Sequence, residues 1–182
     1  MKKYIDLLNR GESLIFPTET VYGIACDATN SKAVRHMYAL KDRPMDQPTS
    51  IFVKDFETAR KIGWFDDTAA AFGQKHWPGP LTLIVPLAGG EIAPEVTCST
   101  NTIGIRIPDS DFILTLLREF GRPLSCTSAN KKGEPAPTCR QEVTLTGAEI
   151  IPGACRFGKA STIIDCTQSP VKIIRDGSIK IG

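Results

Sequence analysis

The chain has only two histidines, His36 and His76, and they lie far apart in sequence. That argues against a histidine-held metal and against a serine–histidine catalytic pair. Six cysteines are present (Cys26, Cys98, Cys126, Cys139, Cys155 and Cys166), but none forms a C-x-x-C pair and none has a histidine at zinc-finger spacing. No apolar run approaches the length of a membrane span. The amino-terminal MKKYIDLLNRGES carries two lysines and no long apolar core, so it reads neither as a signal peptide nor as a span. Without a secretion signal the cysteines are expected to be reduced thiols in the cytoplasm. Cys126 and Cys166 sit inside apolar runs and are expected in the core. Net charge is only +2, from 22 basic against 20 acidic residues. Bulk charge therefore does not announce a polyanionic partner, though a local basic face is compatible with it.

Three catalytic or nucleotide motifs are also missing. There is no G-x-G-x-x-G fingerprint and no G-x-S-x-G elbow. The stretch Gly153–Lys159 (GACRFGK) nearly matches a phosphate-binding loop, but Ala160 stands where the motif needs Ser or Thr to hold magnesium. The residues after it, 161–165, read as a strand and not as the helix that loop should open.

What is present suits one α/β domain spanning 1–182. A chain of 182 residues, 41% hydrophobic, can bury roughly 70% of its unfolded surface. Strand and helix patterns mix without a linker, repeat or low-complexity segment, which predicts a twisted sheet with packed helices. Helices are expected over 2–10, with Ile5, Leu8 and Tyr4 inward, and after the cap Asn30 to a stop at Pro44. Further helices are expected from Asp55 to Gly63, over 67–77, from Asp109 or Ser110 to Phe120, and weakly over 140–147. Strands are expected at 14–16, 49–53, 81–86, 103–107, 124–127, 150–151, 162–165 and 171–174, with a loose connection over 89–100.

The organising stretch is Leu14–Ala25, LIFPTETVYGIA. Pro17 cannot donate to a strand ladder, so the strand should end there and place Thr18, Glu19 and Thr20 at its carboxyl end. Open α/β sheets put ligands at such ends. A plain strand and polar turn would give the same pattern. Next, LKDRPMDQP sets Lys41 and Arg43 beside a helix end. Cations are favoured there, by roughly 0.3–1 kcal/mol, yet the same pair suits holding phosphates. In IGIRI, Arg106 faces away from Ile105 and Ile107. An arginine inside an apolar strand needs an anion, either a buried carboxylate or a ligand. The polar inventory is thus hydroxyls and cations without an evident general base. It suits binding and polarising anions more than supplying a nucleophile.

Six segments in order resemble one family: PTETVYG (17–23), KDRP (41–44), WPGPLT (77–82), TIGIRIP (102–108), SAN with GEPAPT (128–138) and STIID (161–165). Together they resemble the threonylcarbamoyl-AMP synthases, the YrdC-like domain family, over nearly the whole chain. The chain stops soon after Arg175, as in the family's short form. The resemblance implies a twisted mixed sheet flanked by helices with a positively lined concave groove. It implies that L-threonine, bicarbonate and ATP give L-threonylcarbamoyl-adenylate and pyrophosphate, for the t6A modification beside the tRNA anticodon. Magnesium would accompany ATP, with no metal held by the protein's own residues. Implied partners are tRNA or double-stranded RNA in the groove and downstream threonylcarbamoyl-transfer proteins, with no membrane.

By the family pattern, Thr20 and Ser161 contact threonine and Arg106 pairs with the carboxylate of threonine or of its carbamate. Lys41 and Arg43 face the phosphates, while Gln47, Thr102, Thr138 and Arg175 contact ATP. Ser128 and Asn130 line the centre, where both substrates meet, and with Lys41 and Arg43 form the catalytic set. Two departures stand out. Gln47 replaces a common Asn, and Phe52 replaces a common histidine that touches threonine. The latter supports one rival reading, a paralogue acting on another carbamoyl or acyl adenylate. A second rival is an RNA-binding module without chemistry, which would call for more surface Lys and Arg than a net charge of +2 suggests.

Overall fold

The stretch Leu14–Asp27 folds as a hairpin, not as one strand and a polar tail. In the computed structural model, which describes residues 1–181, β1 (Leu14–Pro17) pairs antiparallel with β2 (Tyr22–Asp27), and Pro17 lies opposite Tyr22. All six residues of β2 are buried. A strand covered on both faces carries no polar alternation, which is why the sequence hid it. Thr18–Val21 is the turn between the two strands.

The other strands are β3 (Ser50–Phe52), β4 (Leu81–Pro86), β5 (Thr102–Arg106), β6 (Leu124–Ser128), β7 (Glu149–Ile150), β8 (Thr162–Asp165) and β9 (Lys172–Arg175). Among the described residues these nine strands form one sheet in the order β7-β1-β2-β6-β3-β5-β4-β8-β9. The β1–β7, β3–β5 and β4–β8 pairs are parallel and the rest antiparallel, so the sheet is mixed as expected. The helices are α1 (Lys2–Asn9), α2 (Ser31–Leu40), α3 (Phe56–Ile62), α4 (Asp67–His76), α5 (Pro94–Thr97) and α6 (Asp111–Phe120). Their starts are fixed by side chains that satisfy orphan backbone donors. Asn30 accepts from Lys32 and Ala33, Asp55 from Thr58, Asp66 from Ala69 and Ser110 from Ile113. Gly121, at φ 76°, ends α6 in the left-handed conformation glycine favours. No helix among the described residues is long and apolar enough to cross a membrane.

The two faces of the sheet differ, and the difference creates the site. On one face Ile15, Ile24, Ile51, Leu83, Ile105 and Ile164 join a single apolar cluster with Val34 and Met37 of α2 and Ala59 of α3. On the other, Leu14, Phe16, Ala25 and Leu124 pack against Leu7 and Leu8 of α1 and Ile113, Leu116 and Leu117 of α6. That second cluster reaches only as far as Phe52 of β3. Beyond it the same face turns polar and lines an open cleft.

Three expectations are corrected. The weak helix over 140–147 is only a single tight turn at Arg140–Glu142. Glu142 accepts hydrogen bonds from the Thr138 N–H and O–H at 2.7 and 2.9 Å, and the β-branched Val143, Thr144 and Thr146 favour extension. The chain then extends so that Leu145 reaches the core. The connection over 89–100 contains α5, which begins on Pro94, a residue already preset for a first helical turn. In α1 it is Leu7 and Leu8 that are buried, with Tyr4 and Ile5 at the rim. Helix α2 ends at Leu40, short of the expected stop at Pro44, and the remaining differences are single residues at element ends. Cys126 and Cys166 are buried as expected, and Cys26 with them.

Gly177 holds β9's turn against the start of β8. A Cβ there would lie 2.3 Å from Ser161 C and Thr162 N, both backbone atoms. Gly177→Ala is therefore expected to lower stability by about 1–3 kcal/mol. Gly89→Ala, where the nearest atom would be 3.6 Å away, should change it by no more than about 0.5 kcal/mol. Urea midpoints of the two variants check this, and equal midpoints would show that the approach at 177 is not tight.

Candidate active site

The cleft is hollow because its floor is built largely from small side chains. Strand register aligns them: Gly23 lies opposite Ser128, Ser50 lies between Cys126 and Gly104, and Thr82 lies opposite Ile163, which faces Arg175. A Cβ on Gly104 would stand 3.0 Å from Ser50 Oγ, so glycine there lets the neighbouring strand keep its hydroxyl. The cleft measures about 220 Å³, below the roughly 300–1,000 Å³ of drug-sized ligand sites. Cys126 contributes to the floor, and burial pushes its thiol up to about 12, so at neutral pH it is a protonated, inert wall.

Arg106 dominates one end. Its side chain is 5% exposed and meets Glu19 Oε1 at 2.7 Å, with the Glu19 side chain wholly buried. Its Nε donates to Gly79 O (3.2 Å) and a terminal nitrogen donates to Thr20 Oγ1 (3.2 Å). The guanidinium lies 5.3 Å from the centre of the Phe52 ring. Both alternatives for Arg106 therefore hold: it has a buried carboxylate partner, and it also lines the cleft.

Ser161, Thr82 and Arg175 form the opposite wall. Arg175 donates from Nε to Ser161 O (2.8 Å) and from a terminal nitrogen to Ser161 Oγ (3.0 Å). Ser161 Oγ also lies 2.9 Å from Thr82 Oγ1. Burial, and then the charge of Arg106, pull the Arg175 pKa below its ordinary value.

A second cavity of about 150 Å³ adjoins the first and shares Arg43 and Ser128 with it. It adds Lys41, Asn130, Lys131 and Lys132. Neither cation of the KDR run serves the end of its own helix. Lys41 Nζ donates to the carbonyls of Ser128 and Asn130. Arg43 donates to Gln47 O (3.1 Å) and Pro48 O (2.8 Å), with its guanidinium 5.6 Å from the Tyr38 ring centre. Burial, reinforced by Arg43, pulls the Lys41 ammonium down to about 8. Asn130 Nδ2 donates to the Lys131 and Glu134 carbonyls, which leaves its buried Oδ1 without a partner.

Eight of the residues expected from the sequence thus lie on the two joined cavities: Thr20, Lys41, Arg43, Arg106, Ser128, Asn130, Ser161 and Arg175. Three do not line either one. The Gln47 carbonyl accepts from Tyr38 and Arg43, the Thr138 hydroxyl is bonded to Glu142, and the Thr102 hydroxyl lies 3.3 Å from that of Thr100 at the far end of β5. Sequence reasoning placed Thr18 and Glu19 at the strand end where a ligand would sit but gave them no specific contact, and it gave no role to Ser50 or Thr82. Glu19 had a signal, a carboxylate between two buried strands. Thr82 had one in its every-other-residue offset from Ile84 on a buried strand.

The family model described as "Telomere recombination", Sua5/YciO/YrdC, matches residues 6–177. The threonylcarbamoyl-AMP synthase of Bacillus subtilis (strain 168) is 37% identical over 179 residues, covering 95% of this chain and 52% of the relative. A putative threonylcarbamoyl-AMP synthase of Methanocaldococcus jannaschii is 36% identical over 190 residues, covering 99% of this chain and 88% of the relative. The crystal structure of Pyrococcus abyssi Sua5 complexed with L-threonine superposes with a TM-score of 0.90 at 31% identity, covering 97% of this chain and 53% of that one. The chain spans about half the length of the Bacillus and Pyrococcus proteins it matches. Motifs and these likenesses agree, and the chain belongs to the Sua5/YciO/YrdC family.

Proposed function

We propose that this chain forms L-threonylcarbamoyl-adenylate and pyrophosphate from L-threonine, bicarbonate and ATP. The observation that carries the reading is the pairing of a small cleft around a fixed arginine with an adjoining cavity lined by several cations. The threonine held by the Pyrococcus neighbour and the activity named for the Bacillus relative support it. Threonine would place its carboxylate at Arg106 and its remaining polar groups among Thr20, Ser128 and Ser161. The triphosphate would run towards Lys41, Arg43 and Arg175, with Asn130 at the junction. Gln47, Thr102 and Thr138 would meet the adenosine end only through parts of the chain beyond the two cavities.

The chemistry needs no nucleophile from the protein. Threonine's amine attacks bicarbonate, and loss of water leaves a carbamate. A carbamate oxygen attacks the α-phosphorus of ATP, the bond to the β-phosphate oxygen breaks, and pyrophosphate carries away the electron pair. The protein's part is to bring two anions and a zwitterion together and offset the charge growing on the leaving group. Lys41 has one N–H left after its two carbonyls, and Arg43 has three of its five. Magnesium would enter as the ATP complex, held by phosphate oxygens and water. The product would supply the tRNA t6A modification through transfer proteins, with tRNA or duplex RNA as a groove ligand. The six unpaired cysteines suit a reducing, cytoplasmic setting.

The reaction itself is tested by pyrophosphate release in carbon-dioxide-depleted buffer. Release is expected only with ATP, magnesium, threonine and added bicarbonate together. Robust threonine-dependent release without bicarbonate would mean that threonine's own carboxylate attacks, and the assignment would be wrong. Arg43→Ala should lower adenylate formation roughly 10²-fold or more, because a charge-assisted phosphate contact is worth about 2–4 kcal/mol at the transition state. Arg43→Lys should restore little of it, since an ammonium cannot hold both loop carbonyls and a phosphate in the same fork. Near wild-type turnover of a folded Arg43→Ala would reduce Arg43 to a loop clamp. Lys41 carries charge below about 8 and loses it above, so the KM for ATP should rise as pH passes that value. Lys41→Arg should remove that rise, and a KM that stays flat across the range in the wild type would free Lys41 from any phosphate role.

A further inference from the structure

Thr82 carries a hydroxyl that its strand does not need. It sits between Leu81 and Leu83 in the apolar run of β4 and is 3% exposed. Its methyl lies on the β5 side, where a Cβ on Gly104 would stand 3.5 Å from it. Its hydroxyl lies on the β8 side, 2.9 Å from Ser161 Oγ, and branching at Cβ keeps the side chain stiff. Ser161 is 4% exposed, and both residues line the cleft. Strand register also brings Thr82 beside Arg106. Leu83 lies opposite Ile105, and beyond them the two chains still run together, with Gly79 N–H donating to Ile107 O at 2.9 Å.

The hydroxyl pair leaves the same remainder whichever way its hydrogen bond runs. Arg175 has only donors, and it fills one lone pair of Ser161 Oγ. The two hydroxyls bring two protons, and their contact uses one. Neither has a further partner among the described residues. If Thr82 donates, Ser161 keeps a free O–H and Thr82 keeps its lone pairs. If Ser161 donates, Thr82 keeps the free O–H and Ser161 keeps one lone pair. Either way a donor stands on one hydroxyl and an acceptor on the other. A ligand hydroxyl meets both at once, closing a ring of three O–H groups that can run in either sense. An ammonium offers only donors and a carboxylate only acceptors, so each leaves half of the pair unmet.

We propose that Thr82 is a specificity-determining residue that reads a ligand hydroxyl together with Ser161, so that the cleft selects short carboxylates that also carry a hydroxyl. Arg106 takes the carboxylate and the pair takes the hydroxyl. The inference rests on the proposed function for the identity of the ligand, and it deepens that reading. The group read is the side-chain hydroxyl of threonine, and the amine, held by neither, is left for bicarbonate.

The test is calorimetry on the intact chain with L-threonine and L-2-aminobutyrate, which differ only in the hydroxyl. The ratio of their affinities cancels what a substitution does to the shared carboxylate, amine and methyl contacts. The wild type is expected to favour threonine. Thr82→Val keeps the shape and removes the O–H, and should lower the ratio about fivefold, the worth of one neutral hydrogen bond. Thr82→Ser should keep the wild-type ratio. Equal affinities in the wild type overturn the inference, as does an unchanged ratio in Thr82→Val or a Thr82→Ser protein that matches Thr82→Val. Thermal melting shows whether Thr82→Val folds, and if it does not, Thr82→Ala decides on the same ratio. A wild-type chain that shows the hydroxyl preference but forms no adenylate refutes the proposed function and leaves this inference standing.

Discussion

The site depends on one ion pair, Arg106 with Glu19, both almost wholly buried. Taking two charges out of water carries a desolvation penalty of several kcal/mol per ion, and their mutual attraction repays it only with good geometry and further hydrogen bonds. Here Arg106 gains the Gly79 carbonyl, the Thr20 hydroxyl and the face of Phe52. Glu19 gains much less, since neither of its oxygens has an aligned hydrogen-bond donor. Apolar residues of similar volume would often stabilise such a position at least as well. What the pair provides instead is a link between three separate segments: the β1–β2 turn, the loop before β4, and the end of β5. An arginine alone in that wall would be an uncompensated buried charge before any ligand arrived. Glu19 compensates it from behind and leaves its front to the cleft.

The concavity around the pair follows from how helices cover the sheet. One face packs from β1 to β8 into a single apolar cluster covered by α2 and α3. The other is covered by α1 and α6 only up to Phe52. Past that residue, Arg106, Thr82, Ser161 and Arg175 replace aliphatic side chains, and the strands carry glycine or serine where bulk would fill the hollow. The same chain that makes a site here could have made a wall with a few β-branched residues. A Cβ on Gly104 or Gly23 would already crowd Ser50 Oγ or Cys126 Sγ, at 3.0 and 3.1 Å.

The sequence showed most helices and strands because caps and stops are local: Asn30, Asp55, Ser110 and Gly121 act on the residues beside them. It hid β2 because burial on both faces removes the alternation that marks a strand. It overcalled 140–147 because Leu145 fits a helical spacing, while its actual use is a single anchor to the core on an extended segment. The cations of the site were visible as residues out of place: Arg106 among isoleucines, and Lys41 and Arg43 before a proline turn. Their supports were not visible. Nothing in the linear order says that Lys41 meets the carbonyls of Ser128 and Asn130, nearly ninety residues on, or that Arg175 meets Ser161. Those contacts depend on sheet order, in which β6 sits between β2 and β3 and β8 lies beside β9.

The supports also divide the site electrically. Lys41 and Arg43 are held by backbone carbonyls, which orient a cation without cancelling its charge. Arg106 is held by a carboxylate, which does cancel it. Lys41, Arg43 and Lys132 therefore keep their charge at one end of the groove, and Arg175 keeps its own near the Arg106–Glu19 pair, whereas Lys131 is paired with Asp42. A polyanion such as a triphosphate gains most at the first end. A zwitterion gains little from net field, but its carboxylate gains from a fixed donor fork, which is what Arg106 presents. Arg43 and Ser128, common to both cavities, mark where their reactive atoms would meet. Swapping the two modes of support would leave the count of cations unchanged and still move the uncancelled charge, so the choice of carbonyl or carboxylate partner shapes the field in the groove.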